Sequence, residues 1–327
     1  MIIGHEAQMK FLRRSFAKET MAHAYLFVGS IGAGKKRAAE EVAGWLLGRK
    51  VEIKEGGTDF NVFFLDRGYD PKSGKKRKEI SIEDIHRLRD YFNHHSLLGS
   101  PQVAIIDEAD YLSRSASNAL LKTLEEPRSG RGALILLASD ENNLLSTVKS
   151  RCQIIRFNPV STKEIYDGLT KRGVARPQAL LAARLSANCP EAAVRFSQDE
   201  DVKSFYQTET ERFFSLQKGT LAERFQIVEG LFKEKEDHIE ARDALIKILE
   251  LWQVFWRDFL LARQEGMDEL VKNINWLEKI KAGAKHYSLS KLVELIGRTQ
   301  EAVKELRQNI HPRLIMENLI LSFYYQS

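Results

Sequence analysis

Cysteine is almost absent from this 327-residue chain, which holds only Cys152 and Cys189. Two thiols cannot build a disulfide scaffold, and they exclude a four-thiolate zinc site. Long apolar runs are missing as well. The longest, such as Ala133–Ala138, fall far short of the roughly 20 residues that span a bilayer. The opening Met-Ile-Ile-Gly-His-Glu-Ala-Gln has no basic segment leading into an apolar one, so no secretory signal is expected. Neither sign of charge dominates. Fifty Lys+Arg against 45 Asp+Glu leave +5, a mildly basic balance that permits an acidic partner such as nucleic acid without requiring one. The expectation is a cytoplasmic, membrane-free protein of two or three domains, 43% hydrophobic and long enough to bury a core.

The first half alternates short apolar runs with amphipathic stretches. The runs are Ala24–Val28, Val62–Leu65, Val103–Ile106, Leu134–Ala138 and Ile154–Phe157. Each is nearly continuous in Val, Ile, Leu and Phe, the pattern of strands buried on both faces. Between them Lys35–Leu47, Ile82–Asn93 and Ser115–Glu126 carry helical spacing, the last stopped by Pro127. Strands alternating with helices predict a parallel sheet covered on both sides. After Phe157 the strand pattern ends. Residues 161–203 show three short helical segments broken at Gly173, Pro177 and Pro190. From about Phe205 the pattern is long and helical, with Phe213, Phe214, Phe225, Trp252, Phe255, Trp256, Phe259 and Trp276 spaced as a core stripe. The expected division is an α/β domain over 1–158, a helical lid over 159–204 and a helical collar over 205–327. The dense basic run Lys72–Lys78 reads either as a solvated loop or as a phosphate-backbone contact. His94-His95 receives no role.

Gly29-Ser30-Ile31-Gly32-Ala33-Gly34-Lys35-Lys36 follows the first strand and opens a helix. Its glycines let backbone N–H groups turn inward around phosphate oxygens, Lys35 can reach the outer phosphates, and the helix N-terminus adds a favourable field. The position that should carry a Ser or Thr hydroxyl for Mg²⁺ holds Lys36 instead. An ammonium there repels a metal, so phosphate binding can survive while metal-assisted hydrolysis is crippled. The strand Val103–Ile106 runs into Asp107 and Glu108, placed to hold a metal-bound water and to polarise an attacking one. The plainer alternative is that these acids cap the next helix. Asp107-Glu108-Ala109-Asp110 also matches the DEAD-box helicase letters. That family's Ser-Ala-Thr is absent, however, and Ala138-Ser139-Asp140 ends the next strand. Arg151, within Ser150-Arg151-Cys152, is either a surface charge or a planar cation presented at a domain edge to a neighbouring subunit's γ-phosphate.

Together these residues resemble the clamp-loader branch of the AAA+ ATPases over nearly the whole chain. The resemblance is carried by Ile3-Gly4-His5 and His23-Ala24-Tyr25-Leu26-Phe27. It continues through Ser115-Ala116-Ser117-Asn118-Ala119-Leu120-Leu121-Lys122-Thr123-Leu124-Glu125-Glu126-Pro127 and Ser146-Thr147-Val148-Lys149-Ser150-Arg151-Cys152. Near the end come Asn309-Ile310-His311-Pro312-Arg313-Leu314 and Glu317-Asn318-Leu319. It implies an α/β P-loop module, a helical lid and an all-α collar. It also implies a pentameric loader of DNA polymerase III that places a sliding clamp on primer–template DNA, with gamma/tau and delta subunits as partners. By that resemblance this chain is a non-hydrolysing stator lending Arg151 in trans, with a vestigial Glu108. A degenerate site at Gly29, Gly32, Gly34, Lys35, Lys36 and Asp107 would take ATP, ADP or phosphate at most, without Mg²⁺. The alternative within the branch is an active gamma/tau-like motor. A standalone DNA-binding protein using the 72–78 run is the reading from another class. Two departures stand out. The four zinc-binding cysteines of related subunits are missing from Arg49–Asp59, so no zinc is expected. The lid's second sensing arginine is replaced by Ala192 in Asn188-Cys189-Pro190-Glu191-Ala192, with Arg195 one helical step later.

Overall fold

The computed structural model describes residues 2–53, 60–70, 74–95, 101–125, 132–232, 238–308 and 310–323. Lys72, Ser73, Thr58, Asp59, Glu126, Pro127 and Asn309 lie outside them, as do the side chains of His94 and His95.

Five strands form one sheet: β1 (Ala24–Val28), β2 (Val62–Leu65), β3 (Gln102–Ile106), β4 (Gly132–Ala138) and β5 (Gln153–Arg156). Their spatial order is β2-β3-β4-β1-β5, and every pairing is parallel. A parallel pair cannot be closed by a hairpin, so each connection crosses over through helix. The crossovers include α2 (Lys35–Leu47), α3 (Ile82–His95) and α4 (Arg114–Glu125), with α1 (Glu6–Ala17) preceding the sheet and α5 (Ser146–Lys149) just before β5. Successive side chains of a strand point to opposite faces. Tyr25, Phe27, Ile105, Ile135 and Leu137 therefore pack with Leu12 of α1 and Ala38, Ala39 and Val42 of α2. Ala24, Leu26, Ile106, Leu134 and Leu136 pack on the other side with Leu88 of α3 and Leu120 of α4. The near-continuous apolar strands thus serve two cores at once. This is a three-layer α/β arrangement, a parallel sheet covered by helices on both faces.

The rest is helical: α6 (Thr162–Thr170), α7 (Arg176–Leu185), α8 (Pro190–Gln198), α9 (Glu200–Lys218), α10 (Leu221–Gly230), α11 (His238–Ala262), α12 (Leu277–Ala284), α13 (Leu289–Arg307) and α14 (Pro312–Leu321). By compactness the chain divides into two units, 1–173 with 186–193, and 174–185 with 194–327. The segment 159–204, expected as a lid of its own, is shared between them by this division. On one side α6 approaches the N-terminus so closely that a Cβ on Gly168 would lie 2.7 Å from Ile3, and Val160 N donates to Asn188 O at 3.3 Å. On the other, Arg184 of α7 donates to Val271 O at 2.6 Å, and Gln178 donates to Ser197 O.

In the second unit the aromatic stripe forms the core. Phe213, Trp252, Phe255, Trp256 and Phe259 are fully buried, and Phe213 lies 4.8–4.9 Å from the rings of Trp256 and Phe255. Ring pairs at these separations add about 0.5–1.5 kcal/mol each beyond the area they bury. Phe213→Ala should therefore cost about 3–5 kcal/mol, read as a lowered denaturation midpoint by tryptophan fluorescence. A loss below about 1 kcal/mol would mean that the surrounding rings collapse into the space.

Candidate phosphate-binding site

In a parallel α/β sheet the loops that leave the C-terminal strand ends share one edge, and ligands bind there. Gly29 leaves β1, Asp66 and Arg67 leave β2, Asp107 and Glu108 leave β3, and Ser139 leaves β4. Two glycines of the first loop are required by space. A Cβ on Gly29 would lie 2.3 Å from Phe157 O. One on Gly32, whose φ is +75°, would lie 2.3 Å from Cys189 Sγ. Gly34, at φ 99°, is the N-cap of α2 and turns the chain into the helix in a conformation few other residues adopt.

Lys35 is buried, 8% exposed, and its Nζ donates to Gly29 O at 2.5 Å and to Ser30 O at 2.9 Å. Burial lowers its pKa, while Asp107 and Glu191 act to raise it. Lys36 lies with its ammonium 4.7 Å over the ring of Phe64. Asp107 Oδ1 accepts from the backbone N–H of Glu108 at 2.8 Å. Burial pushes the Asp107 carboxyl above its ordinary range, against this hydrogen bond and the field of Lys36.

Glu108 sits at φ +53° and is doubly engaged. Arg67 donates to it from Nε at 3.1 Å and from Nη2 at 2.8 Å, and Lys76 Nζ donates at 3.0 Å. The Arg67 guanidinium is itself fixed, 3.7 Å over the ring of Tyr111. Its backbone carbonyl accepts from Arg77, which pairs with Asp84. Half-burial pushes the Glu108 pKa up, but the hydrogen bonds from Arg67 and Lys76 outweigh it and hold the carboxyl below its usual range.

Gly32, Lys35, Lys36, Asp107 and Glu108 line one cavity of about 280 Å³, with Gly29 and Gly34 shaping the loop that bounds it. Arg151 does not line it. Its guanidinium, at the end of α5, donates to Glu125 Oε1 at 2.6 Å and to Thr147 O at 3.0 Å. Burial pushes the neighbouring Cys152 thiol up to about 12, far from thiolate chemistry. Four contributors were not expected at this site from the sequence: Arg67, Lys76, Glu191 and Cys189. Lys76 had drawn notice only within the basic run, and Cys189 and Glu191 only within the lid segment Asn188–Ala192. Within the basic run Lys76 pairs with Glu108 and Arg77 pairs with Asp84.

The loop has the parts that suit a phosphate group: a glycine-rich backbone, a helix N-terminus and two lysines. A divalent cation does not fit. Lys36 stands where a hydroxyl ligand is needed, and both Glu108 oxygens are taken by cations. Among the described residues no group of three His, Cys, Asp or Glu side chains is arranged to hold a metal.

The profile of the family described as DNA polymerase III, delta subunit, matches residues 4–161. DNA polymerase III subunit delta' of Bacillus subtilis (strain 168) is 29% identical over 331 residues, covering 96% of this chain and 94% of that protein. The delta' subunit of Escherichia coli (strain K12) is 30% identical over 154 residues, covering 47% of this chain and 44% of that protein. DNA polymerase III subunit tau of Bacillus subtilis is 24% identical, covering 97% of this chain but only 59% of that protein. In its strand order, phosphate loop and sequence matches the chain is similar to the clamp-loader branch of the AAA+ proteins. Within that branch the full-length likeness is to the delta-prime subunit of DNA polymerase III.

The Glu108 pairing has a pH signature. Its folded pKa lies below its unfolded one, so the stabilisation is complete above the ordinary carboxylate value of about 4.3 and is lost as pH falls through the folded value. Glu108→Gln should flatten the acid limb of stability as pH falls below about 5, followed by urea denaturation at a series of pH values. An unchanged limb would remove the Arg67 and Lys76 pairs as a source of that linkage.

Proposed function

We propose that the chain is a non-hydrolysing clamp-loader subunit, one that assembles with gamma/tau-type and delta-type subunits. It meets the sliding clamp and primer–template DNA inside that assembly, and it lends Arg151 to the ATP site of a neighbour. The division into P-loop module (1–158), lid (159–204) and collar (205–327) belongs to the same reading. The observation that carries it is the state of Glu108. A carboxylate polarises water only with a free, basic oxygen, and here both oxygens are bonded to Arg67 or Lys76. Lys36 adds a second block by occupying the metal-ligand position. Arg151 fits the trans role because it does not line the cavity of its own chain and, among the described residues, has only Glu125 and Thr147 O to release. Its planar, permanently charged fork can stabilise charge that develops on a transferring phosphoryl group.

The gathering of Lys35, Asp107 and Glu108 around one cavity favours a second reading, an active motor. Two measurements separate them. In the reconstituted loader, Arg151→Ala should leave assembly by co-elution intact and reduce DNA-stimulated ATP turnover by roughly 10³-fold. Unchanged turnover overturns the finger assignment. The purified chain alone should show no turnover with Mg²⁺. Turnover that Glu108→Gln abolishes would establish the motor instead.

A further inference from the structure

The misfit between this cavity and a divalent cation has a positive counterpart. We propose that the cavity binds the diphosphate group of a nucleotide without any divalent metal, Lys36 supplying the charge that a metal would bring. The inference rests on the reading of Gly29–Lys35 as a phosphate loop and goes beyond it by naming the ligand's chemistry and its counter-ion.

Three observations carry it. First, the Lys36 ammonium is held in place without being spent. It lies over the face of Phe64 at 4.7 Å and makes no hydrogen bond to any described residue, so its three donors remain for a ligand. Second, Lys36 acts electrostatically on Asp107 and on Glu191, the acids from two different segments that border the cavity. With Lys35, whose field on Glu191 is the larger, it lets these carboxylates stand beside an anionic ligand, which is the office of a bound metal in a working phosphate loop. A divalent ion entering there would meet Lys36 at close range and would find Glu108 already bonded to Arg67 and Lys76. Third, the volume of about 280 Å³ lies just below the range of whole-ligand pockets, roughly 300–1,000 Å³. It suits the phosphate end of a nucleotide rather than the whole molecule. Lys35, now resting on Gly29 O and Ser30 O, supplies the second cation when a phosphate oxygen replaces those carbonyls.

The test is equilibrium binding of a fluorescent ADP analogue to the full chain, in EDTA and in excess Mg²⁺, with inorganic pyrophosphate as competitor. The wild-type Kd should differ by less than about threefold between the two conditions. Lys36→Thr should lose about tenfold or more in EDTA and recover with Mg²⁺, because a hydroxyl restores the metal ligand. Lys36→Arg should keep metal-free binding. Displacement by pyrophosphate marks the diphosphate as the recognised group, whereas displacement by ADP alone would move recognition to the nucleoside and overturn that part. A wild-type affinity that rises tenfold with Mg²⁺, or no saturable binding in either condition, overturns the proposal. The wild-type comparison decides even if Lys36→Thr fails to fold. Failure here leaves the Arg151 measurement untouched, since that one reads a neighbouring subunit's site.

Discussion

The position of β1 between β4 and β5 is the constraint on which the first unit depends. The strand is hydrogen-bonded on both edges and packed on both faces, with Tyr25 and Phe27 in one core and Ala24 and Leu26 in the other. Such a strand can change direction only at its end, and there the backbones crowd. Gly29 N donates to Ala138 O at 3.1 Å, Phe157 N donates to Val28 O at 2.7 Å, and a Cβ on Gly29 would strike Phe157 O. The phosphate loop follows from that crowding, because a chain leaving so close a contact needs glycine and emerges facing the ends of its neighbours. The acids after β3 reach the same edge by register: Leu65 pairs with Ile106, and Asp107 N then donates to Leu65 O at 2.7 Å.

Charge inside this edge is balanced by the chain itself. A working phosphate loop leaves its lysine and acids to be completed by nucleotide and metal. In this chain Lys35 is satisfied by loop carbonyls, and Glu108 is satisfied by Arg67 and Lys76. The pairs are partly buried, where charge-assisted hydrogen bonds are stronger than at the open surface and leaving one partner unmatched is costly. Freeing Glu108 for catalysis would strand the Arg67 guanidinium, which is stacked on Tyr111 and anchored through Arg77 to Asp84. The clamp on Glu108 is thus joined to a chain of contacts reaching α3.

What the sequence made legible depended on range. Strands Ala24–Val28 and Val62–Leu65 and helix Lys35–Leu47 stand in the structure with the expected bounds, since burial on both faces and helical spacing are local patterns. The other strands begin or end one or two residues from expectation: Gly132, for example, pairs with Gln102 although neither is a strong strand former. The core stripe from Phe213 to Phe259 was equally readable from its period. The pairing of Arg67 and Lys76 with Glu108 was not, because 41 and 32 residues separate the partners and no periodicity links them. Nor was the approach of Cys189 to Gly32, which joins positions 157 apart and is visible only as a hydrogen bond from Sγ to Gly32 O at 3.2 Å.

That last contact shows what the segment Asn188–Ala192 does for the loop. In Asn188–Ala192 the sensing arginine is absent, but the segment still serves the loop: Cys189 fills the space beside Gly32, and Glu191 N donates to Gly32 O at 3.3 Å. A segment retained for nucleotide sensing would present a cation to phosphate. This one presents a thiol and a carboxylate, and the carboxylate faces the fields of Lys35, Arg37 and Lys36. An arginine at position 192 beside Lys36 would concentrate positive charge at the loop, whereas a hydroxyl at position 36 would remove one of the cations whose field acts on Asp107 and Glu191.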